Sequence, residues 1–239
     1  MTPPILITGA AQRIGLALAK HFIAQGQAVI ITYRTRHEAV DSLEQQGVTC
    51  LYADFSTDEG INTFITLLKS HTDSLRAVIH NASSWDCEAN NPHFEQLFDN
   101  MMRIHAKTPY LVNLHCADLL LNYQASHAKP ADIIHLTDYV VETGSPKHLA
   151  YAASKAALDN LTKSFSAKYA PNIKVNSVAP SLIIFNQHDD EQYRAKTLKK
   201  SLMGIEPGCQ EIINSIDLLL NSHYITGRAL PVDGGRHLK

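Results

Sequence analysis

Six short apolar runs, separated by stretches with helical spacing, leave this chain few folds to choose from. The runs are Ile5-Leu6-Ile7 and residues 28–32, 49–52, 77–80, 133–136 and 174–178. Most are apolar along their length, and all six read as strands buried on both faces. Between them, residues 14–24, 38–46, 61–69, 94–121 and 151–169 carry apolar side chains three and four apart, as amphipathic helices do. Gly26, Gly47 and Pro171 stand where helices should stop. Strands that alternate with helices pair in parallel through right-handed crossovers. The sequence therefore predicts an α/β fold: one doubly wound domain over 1–239, a mostly parallel sheet with helices on both faces. No internal repeat, low-complexity tract or linker interrupts it.

Composition narrows function more than fold. The 239 residues carry a formal net charge of -2, with 45% hydrophobic and 18% charged side chains. No basic excess exists for nucleic acid or an anionic membrane, so neither is an expected partner. No apolar run approaches the ~20 residues of a membrane span. The strand-like segment at residues 4–8 leaves no room for a signal peptide, and a cytoplasmic location is expected. Cys50, Cys87, Cys116 and Cys209 are scattered without a C-x-x-C pair, which suits reduced thiols. His135 and the His188-Asp189-Asp190 cluster lack ligand spacing such as H-E-x-x-H, so no metal is expected.

Straight after the first strand comes Thr8-Gly9-Ala10-Ala11-Gln12-Arg13-Ile14-Gly15. Gly9 permits a tight turn, Gly15 permits close helix–strand packing, and the helix start offers N–H groups to a pyrophosphate. The middle glycine of the usual dinucleotide fingerprint is absent. Arg13 occupies its neighbourhood, where a cation would face a phosphate. The second strand ends in Thr32-Tyr33-Arg34-Thr35-Arg36, guanidinium groups with no carboxylate, which suits the 2′-phosphate of NADP rather than the ribose diol of NAD. Asp54, ending the third strand, is placed to accept from an adenine amine. Asn81-Ala82-Ser83, ending the fourth, would border the ribose and lead to the nicotinamide side.

Tyr151 and Lys155 stand one helical turn apart, with Asp138 thirteen residues upstream. A phenol with a free pKa near ~10 is a poor acid–base group at neutral pH, and an ammonium at i+4 lowers it by favouring the phenolate. Such a pair protonates a substrate while a hydride arrives from elsewhere. Asp138 reads either as a turn cap or as a desolvated acid whose pKa is pushed up by burial.

These motifs, with the tail Ile225-Thr226-Gly227 and Val232-Asp233-Gly234-Gly235, resemble the short-chain dehydrogenase/reductase family end to end. Within it the chain is most similar to the pteridine reductases. They share the form T-G-x-x-x-R-x-G, an N-A-S-S-aromatic stretch (here Asn81 to Trp85) and Asp in place of the usual catalytic Ser. More narrowly, Ile104-His105, Thr108-Pro109-Tyr110, 137–142 and 233–238 resemble bacterial members that use NADPH on 7,8-dihydropterins, with some activity on dihydrofolate. The resemblance implies a Rossmann domain in which Tyr151 donates the proton and Lys155 holds the nicotinamide ribose. Asp138 would face the pterin ring, Trp85 would stack on it, and Ser83 would touch both pterin and cofactor. Arg13, Ile14, Arg34 and Thr35 would surround the cofactor, and Pro180-Ser181, in place of a usual Pro-Gly, would pass the nicotinamide. His105 stands where the family often has Asn in a proton relay; packing beside the active-site helix and a relay role are both open. A homotetramer through the helices at 94–121 and 151–169 is implied by resemblance alone.

The polar segment 181–200 falls over the carboxyl ends of the strands. It reads either as a substrate-side lid or as a solvated surface insertion. Two rivals to dihydropterin reduction are an NADPH-dependent carbonyl reductase and a non-catalytic NADP(H) sensor. Asp138 and Trp85 weigh against the first, and the presence of both Tyr151 and Lys155 against the second.

Overall fold

The computed structural model describes residues 2–239. Seven strands form one sheet in the order β3-β2-β1-β4-β5-β6-β7. They are β1 (Ile5–Ile7), β2 (Val29–Tyr33), β3 (Thr49–Tyr52), β4 (Ala77–His80), β5 (Ala131–Leu136), β6 (Ile173–Pro180) and β7 (Ala229–Val232). Every pairing is parallel. Helices α1 (Arg13–Ala24), α2 (Glu38–Gln45) and α3 (Asp58–His71) connect the first four strands. After them come α4 (Phe94–Met102), a π-turn (Arg103–Lys107), α5 (Thr108–His115) and α6 (Ala117–His127). The second half adds α7 (Val140–Thr143), α8 (Leu149–Tyr169), α9 (Glu191–Leu198) and α10 (Gln210–Asn221).

The period-two geometry of a strand divides the core into two layers. Leu6, Val78, Ile133 and Val175 face Phe64 and Leu68 of α3, Leu120 of α6 and Phe165 of α8. Their neighbours Ile7, Ile79 and Ile134 face Leu18 and Phe22 of α1 and Ile212 and Ile216 of α10. Each of these side chains gains about 1.5–3 kcal/mol by leaving water. The strand order reverses between β1 and β4, with α1 on one face and α3 on the other, so a crevice opens at the carboxyl ends of β1 and β4, where ligands of doubly wound sheets bind. The opposite edge is closed by a buried charge cluster. Asp132 accepts from Arg76 and Lys174, both at 2.6 Å, and these cations also take the Leu220 and Leu219 carbonyls, which pins the last turn of α10 to the sheet.

The long helix expected over 94–121 is broken. Pro109 has no N–H for the helical ladder, and the Thr108 hydroxyl takes the Arg103 carbonyl at 2.9 Å, so the chain widens into the π-turn. A second break falls at Cys116, between α5 and α6. The seventh strand, absent from the sequence-based set, is a short edge strand holding Pro231, a residue that weakens any strand signal and is tolerated at edges. Helix α10 was also missing from that set, although Ile212, Ile213, Ile216 and Leu219 show its apolar spacing.

Candidate active site

Two of the clefts along the carboxyl edge of the sheet gather most of the motif residues. The first, about 150 Å³, is walled by Gly9, Arg34, Thr35, Ala82 and Ser83 among others. Its floor is sewn between β1 and β4. The Thr8 hydroxyl accepts from the Asn81 and Ala82 amides, both at 3.0 Å. The Asn81 side chain donates to the Thr8 and Gly9 carbonyls at 2.9 Å. Gly9 sits at φ +64, and a Cβ there would meet Ala82 Cα at 2.8 Å. A Cβ on Gly15 would meet Asn81 Nδ2 at 2.5 Å. Both glycines are therefore required by contact, and Asn81 and Gly15 shape the turn from beneath.

Arg34 faces the first cleft and makes no salt bridge among the described residues. Arg36 does not face it: its guanidinium pairs with Asp41 and Glu44 at 2.6 and 2.5 Å. Asp54 turns away as well. Its carboxylate accepts from the Ser56 hydroxyl at 2.7 Å and the Ser56 amide at 2.9 Å, which hold it below the usual carboxylate range, and it is Ala53, Phe55 and Ser56 that line the wall. Arg13 takes a left-handed backbone, φ 53, the conformation for which a glycine is the ordinary choice. Its side chain reaches past the turn to Asn186 Oδ1 (2.7 Å) and the Ile184 carbonyl (3.0 Å), tying the β1–α1 turn to the segment 181–200.

The second cleft, about 600 Å³, holds Trp85, Asp138 and Tyr151 together with Arg13, Ile14 and Ser181. Tyr151 Oη donates to Asp138 Oδ2 at 2.8 Å. The other carboxylate oxygen accepts from the Val140 amide at 3.0 Å, so Asp138 is at once a cap and the partner of the phenol. Burial pushes the Asp138 carboxyl up. Burial, and then the Asp138 charge, hold the Tyr151 phenol well above its ordinary value. The expected lowering of Tyr151 by Lys155 is thus overturned. Lys155 Nζ donates instead to the Leu136 carbonyl at 2.8 Å and stands 5.6 Å from the phenol ring centroid. Its own pKa falls to about 8 because the ammonium is buried, with Asp138 partly offsetting that.

His105, on the π-turn, is 1% exposed and uses both ring nitrogens. Nε2 accepts from the Ser84 amide (3.2 Å) and meets the Ser83 hydroxyl (2.8 Å), which leaves the proton on Nδ1, facing Ser154 Oγ at 2.8 Å. The Ser154 hydroxyl donates to the Tyr151 carbonyl at 2.7 Å. Burial keeps the ring neutral. His105 therefore joins the loop after β4 to α8, packing its ring edge-on against Tyr151 at 5.3 Å.

Trp85, 62% exposed, lies 4.1 Å from the His148 ring and 4.7 Å, edge-on, from Tyr151. Glu88 of the same loop accepts from the Leu149 and Ala150 amides at 3.2 and 2.9 Å, a carboxylate on the amino end of α8. Pro180 stays out of the wall; its carbonyl accepts from the Tyr139 amide at 3.0 Å. The sequence reading missed His148, Lys147 and Arg236, all of which line the second cleft. Arg236 lay inside a quoted motif, but the other two carried no local signal. Among the described residues no group of three or more His, Cys, Asp or Glu side chains could hold a metal, and no helix is long and apolar enough to cross a membrane.

A family model described as enoyl-(acyl carrier protein) reductase matches residues 9–237. The chain is 57% identical to dihydromonapterin reductase of Klebsiella pneumoniae subsp. pneumoniae over 236 residues, 99% of this chain and 97% of that one. It is 55% identical, with the same coverage, to dihydromonapterin reductase of Escherichia coli O6:K15:H31. In fold it is similar to FolM alternative dihydrofolate reductase 1 of Brucella canis complexed with NADP. That match has a TM-score of 0.85 and 22% identity, covering 99% of this chain and 94% of that one.

Proposed function

The chain belongs to the short-chain dehydrogenase/reductase family, and on that premise we propose that it is an NADPH-dependent reductase of 7,8-dihydropterins. It converts 7,8-dihydromonapterin to tetrahydromonapterin, with side activity on dihydrofolate. The observation that carries this reading is the Tyr151–Asp138 hydrogen bond, set in a cleft beside the exposed ring of Trp85. A carbonyl compound needs a single hydroxyl donor. A pterin presents a flat ring with several donors and acceptors, which calls for an aromatic wall and a carboxyl group together.

The residues present fit NADPH. The first cleft joins a turn whose glycines any side chain would clash with to the guanidinium of Arg34, which makes no salt bridge among the described residues. Gly9, Ala82 and Ser83 would bound the cofactor, and Arg34 and Thr35 would take the 2′-phosphate. Lys155 would reach the nicotinamide ribose, with Ser181 and Ile14 beside the ring. Bound there, NADPH supplies a hydride for C6 of the dihydropterin. The proton for N5 comes from this chain: Tyr151 carries it and holds it toward Asp138 across one 2.8 Å hydrogen bond. Because Tyr151 is held up, the phenol keeps its proton until the substrate nitrogen gains basicity, and Asp138 stabilises the donor's position. Arg13, through Asn186 and Ile184, would draw the segment 181–200 over the cleft as a lid.

The whole chain acts as one cytoplasmic domain, in a homotetramer by family resemblance. The test is NADPH oxidation with dihydromonapterin, dihydrobiopterin, dihydrofolate and simple ketones. Turnover with the dihydropterins and not the ketones is expected. Turnover with ketones alone would leave the carbonyl reductase reading, and turnover with neither would leave the NADP(H) sensor.

A further inference from the structure

Three cations from distant segments meet at the rim of the second cleft. Lys147 precedes α8, Lys200 follows α9, and Arg236 follows β7, yet all three line the same cavity as Trp85 and Tyr151. Some exposed cations elsewhere are paired, Lys69 with Asp118, Lys107 with Asp58 and Lys163 with Asp159, and others such as Lys20 and Lys129 stand alone among the described residues. What sets the rim apart is three cations facing one cavity. Among the described residues Lys147, Lys200 and Arg236 pair with no carboxylate. The one carboxylate in the cleft wall, Asp138, already serves Tyr151 and Val140. In a chain of net charge -2, this is local placement and not overflow from a basic composition.

Two further details mark the rim as a binding surface. The Arg236 guanidinium lies 4.1 Å over the Tyr139 ring, which fixes its plane, and its side chain donates no hydrogen bond among the described residues. Thr197, which also lines the cleft, is 6% exposed and its hydroxyl has no hydrogen-bond partner. Like charges held together favour an anion between them, and the neighbouring cations Arg236, Lys196 and Lys147 join burial in disfavouring the Lys200 ammonium.

We propose that this rim is a subsite for an anionic group on the substrate's side chain, held by Lys147, Lys200 and Arg236. The inference rests on the dihydropterin reading, with the ring held at Trp85, Asp138 and Tyr151 and the side chain directed outward. Either the carboxylates of a glutamate tail or a phosphate ester on a polyol side chain has this chemistry.

The experiment compares wild type with the double variant Lys147→Gln/Lys200→Gln, neither residue touching the proton-donating pair. The substrates are 7,8-dihydrobiopterin (neutral tail), 7,8-dihydrofolate (carboxylates) and 7,8-dihydroneopterin triphosphate. One exposed ion pair changes affinity by up to about fivefold, so the double variant should lose roughly tenfold in kcat/KM on an anionic substrate. The neutral substrate should change by less than about twofold. Selective loss on dihydrofolate alone, or on the phosphate ester alone, identifies the source of the anion. Equal loss on all three, or no loss on any, overturns the subsite. Calorimetric titration of the NADP⁺-saturated enzyme with inorganic tripolyphosphate separates this inference from the substrate reading. Saturable binding that disappears in the double variant supports the subsite even where no dihydropterin is reduced, and its absence in wild type together with no selective loss on dihydrofolate overturns it.

Discussion

Replacing Lys155 with Met removes a buried ammonium while keeping the length and apolar stem of the side chain. In the folded protein this group titrates at about 8, against 10.5 for a solvated lysine. At ~1.4 kcal/mol per pH unit, the charged form costs the folded state about 3 kcal/mol below pH 8. Between pH 8 and 10.5 the unfolded chain still binds a proton that the folded chain has released, so wild-type stability rises with pH through this window. The Met variant lacks that contribution. It also strands the Leu136 carbonyl that Lys155 serves at 2.8 Å, a loss of about 1–3 kcal/mol. At pH 7 the two proteins should therefore have similar stability, and by pH 10.5 wild type should lead the variant by about 3 kcal/mol more than at pH 7. Urea unfolding followed by circular dichroism at steps from pH 7 to 10.5 measures the difference, and subtraction cancels the other lysines and tyrosines. Parallel curves would refute the buried-charge argument. The catalytic counterpart is a fall in wild-type kcat/KM above about pH 8 as the ammonium is lost from the free enzyme, with turnover of the variant near zero throughout.

Asp138→Asn should lower dihydropterin turnover by about 10²-fold or more, the scale of one positioned acid–base group. The variant should also be more stable than wild type at pH 7 and lose that advantage near pH 3.8: burial raises this carboxyl in the fold, so its ionisation disfavours the folded state as pH rises. An Asn variant as active as the parent would reduce Asp138 to a cap. Trp85→Ala should raise the dihydropterin KM far more than the NADPH KM, by about 1–3 kcal/mol in binding. Unquenched Trp fluorescence on adding a pterin to the NADP⁺ complex would end the stacking reading. Arg34→Asp should shift the kcat/KM ratio from NADPH toward NADH. An unchanged ratio would remove Arg34 as the phosphate partner, and Arg36 is no substitute because Asp41 and Glu44 already hold it.

What the sequence disclosed follows the range of the interactions involved. The six expected strands, five of them interior and β3 at one edge, and the Tyr151–Lys155 spacing are local patterns, and each lies on its expected element. The Pro-bearing edge strand carries a weak pattern, so β7 escaped. The break in the helix at 94–121 needed the joint effect of Thr108 and Pro109. Arg13 was legible as a cation in a glycine's place, but its reach to Asn186 depends on how a remote segment returns. The pairing of Arg36 with α2 had a readable signal in the spacing of Asp41 and Glu44. The sign of the Tyr151 perturbation did not: it depends on burial and on which carboxylate faces the phenol, and neither is a property of helical spacing.

The all-parallel sheet also governs how the chain reaches this state. No parallel pair can be closed by a tight turn, so each ladder forms only after a crossover has been ordered, at a loop-closure cost that precedes the gain. The burden falls most heavily on β1, three residues long, whose Ile5 lies beside Val29 on one side and Ala77 on the other. The turn that shapes the first cleft, with its glycines pressed against Ala82 and Asn81, assembles only when β1 and β4 have met. Topologies dominated by such non-local pairings fold slowly and expose unpaired strands meanwhile. Recovery of activity after dilution from denaturant should accordingly lag behind the return of helical signal, and its yield should fall as protein concentration rises.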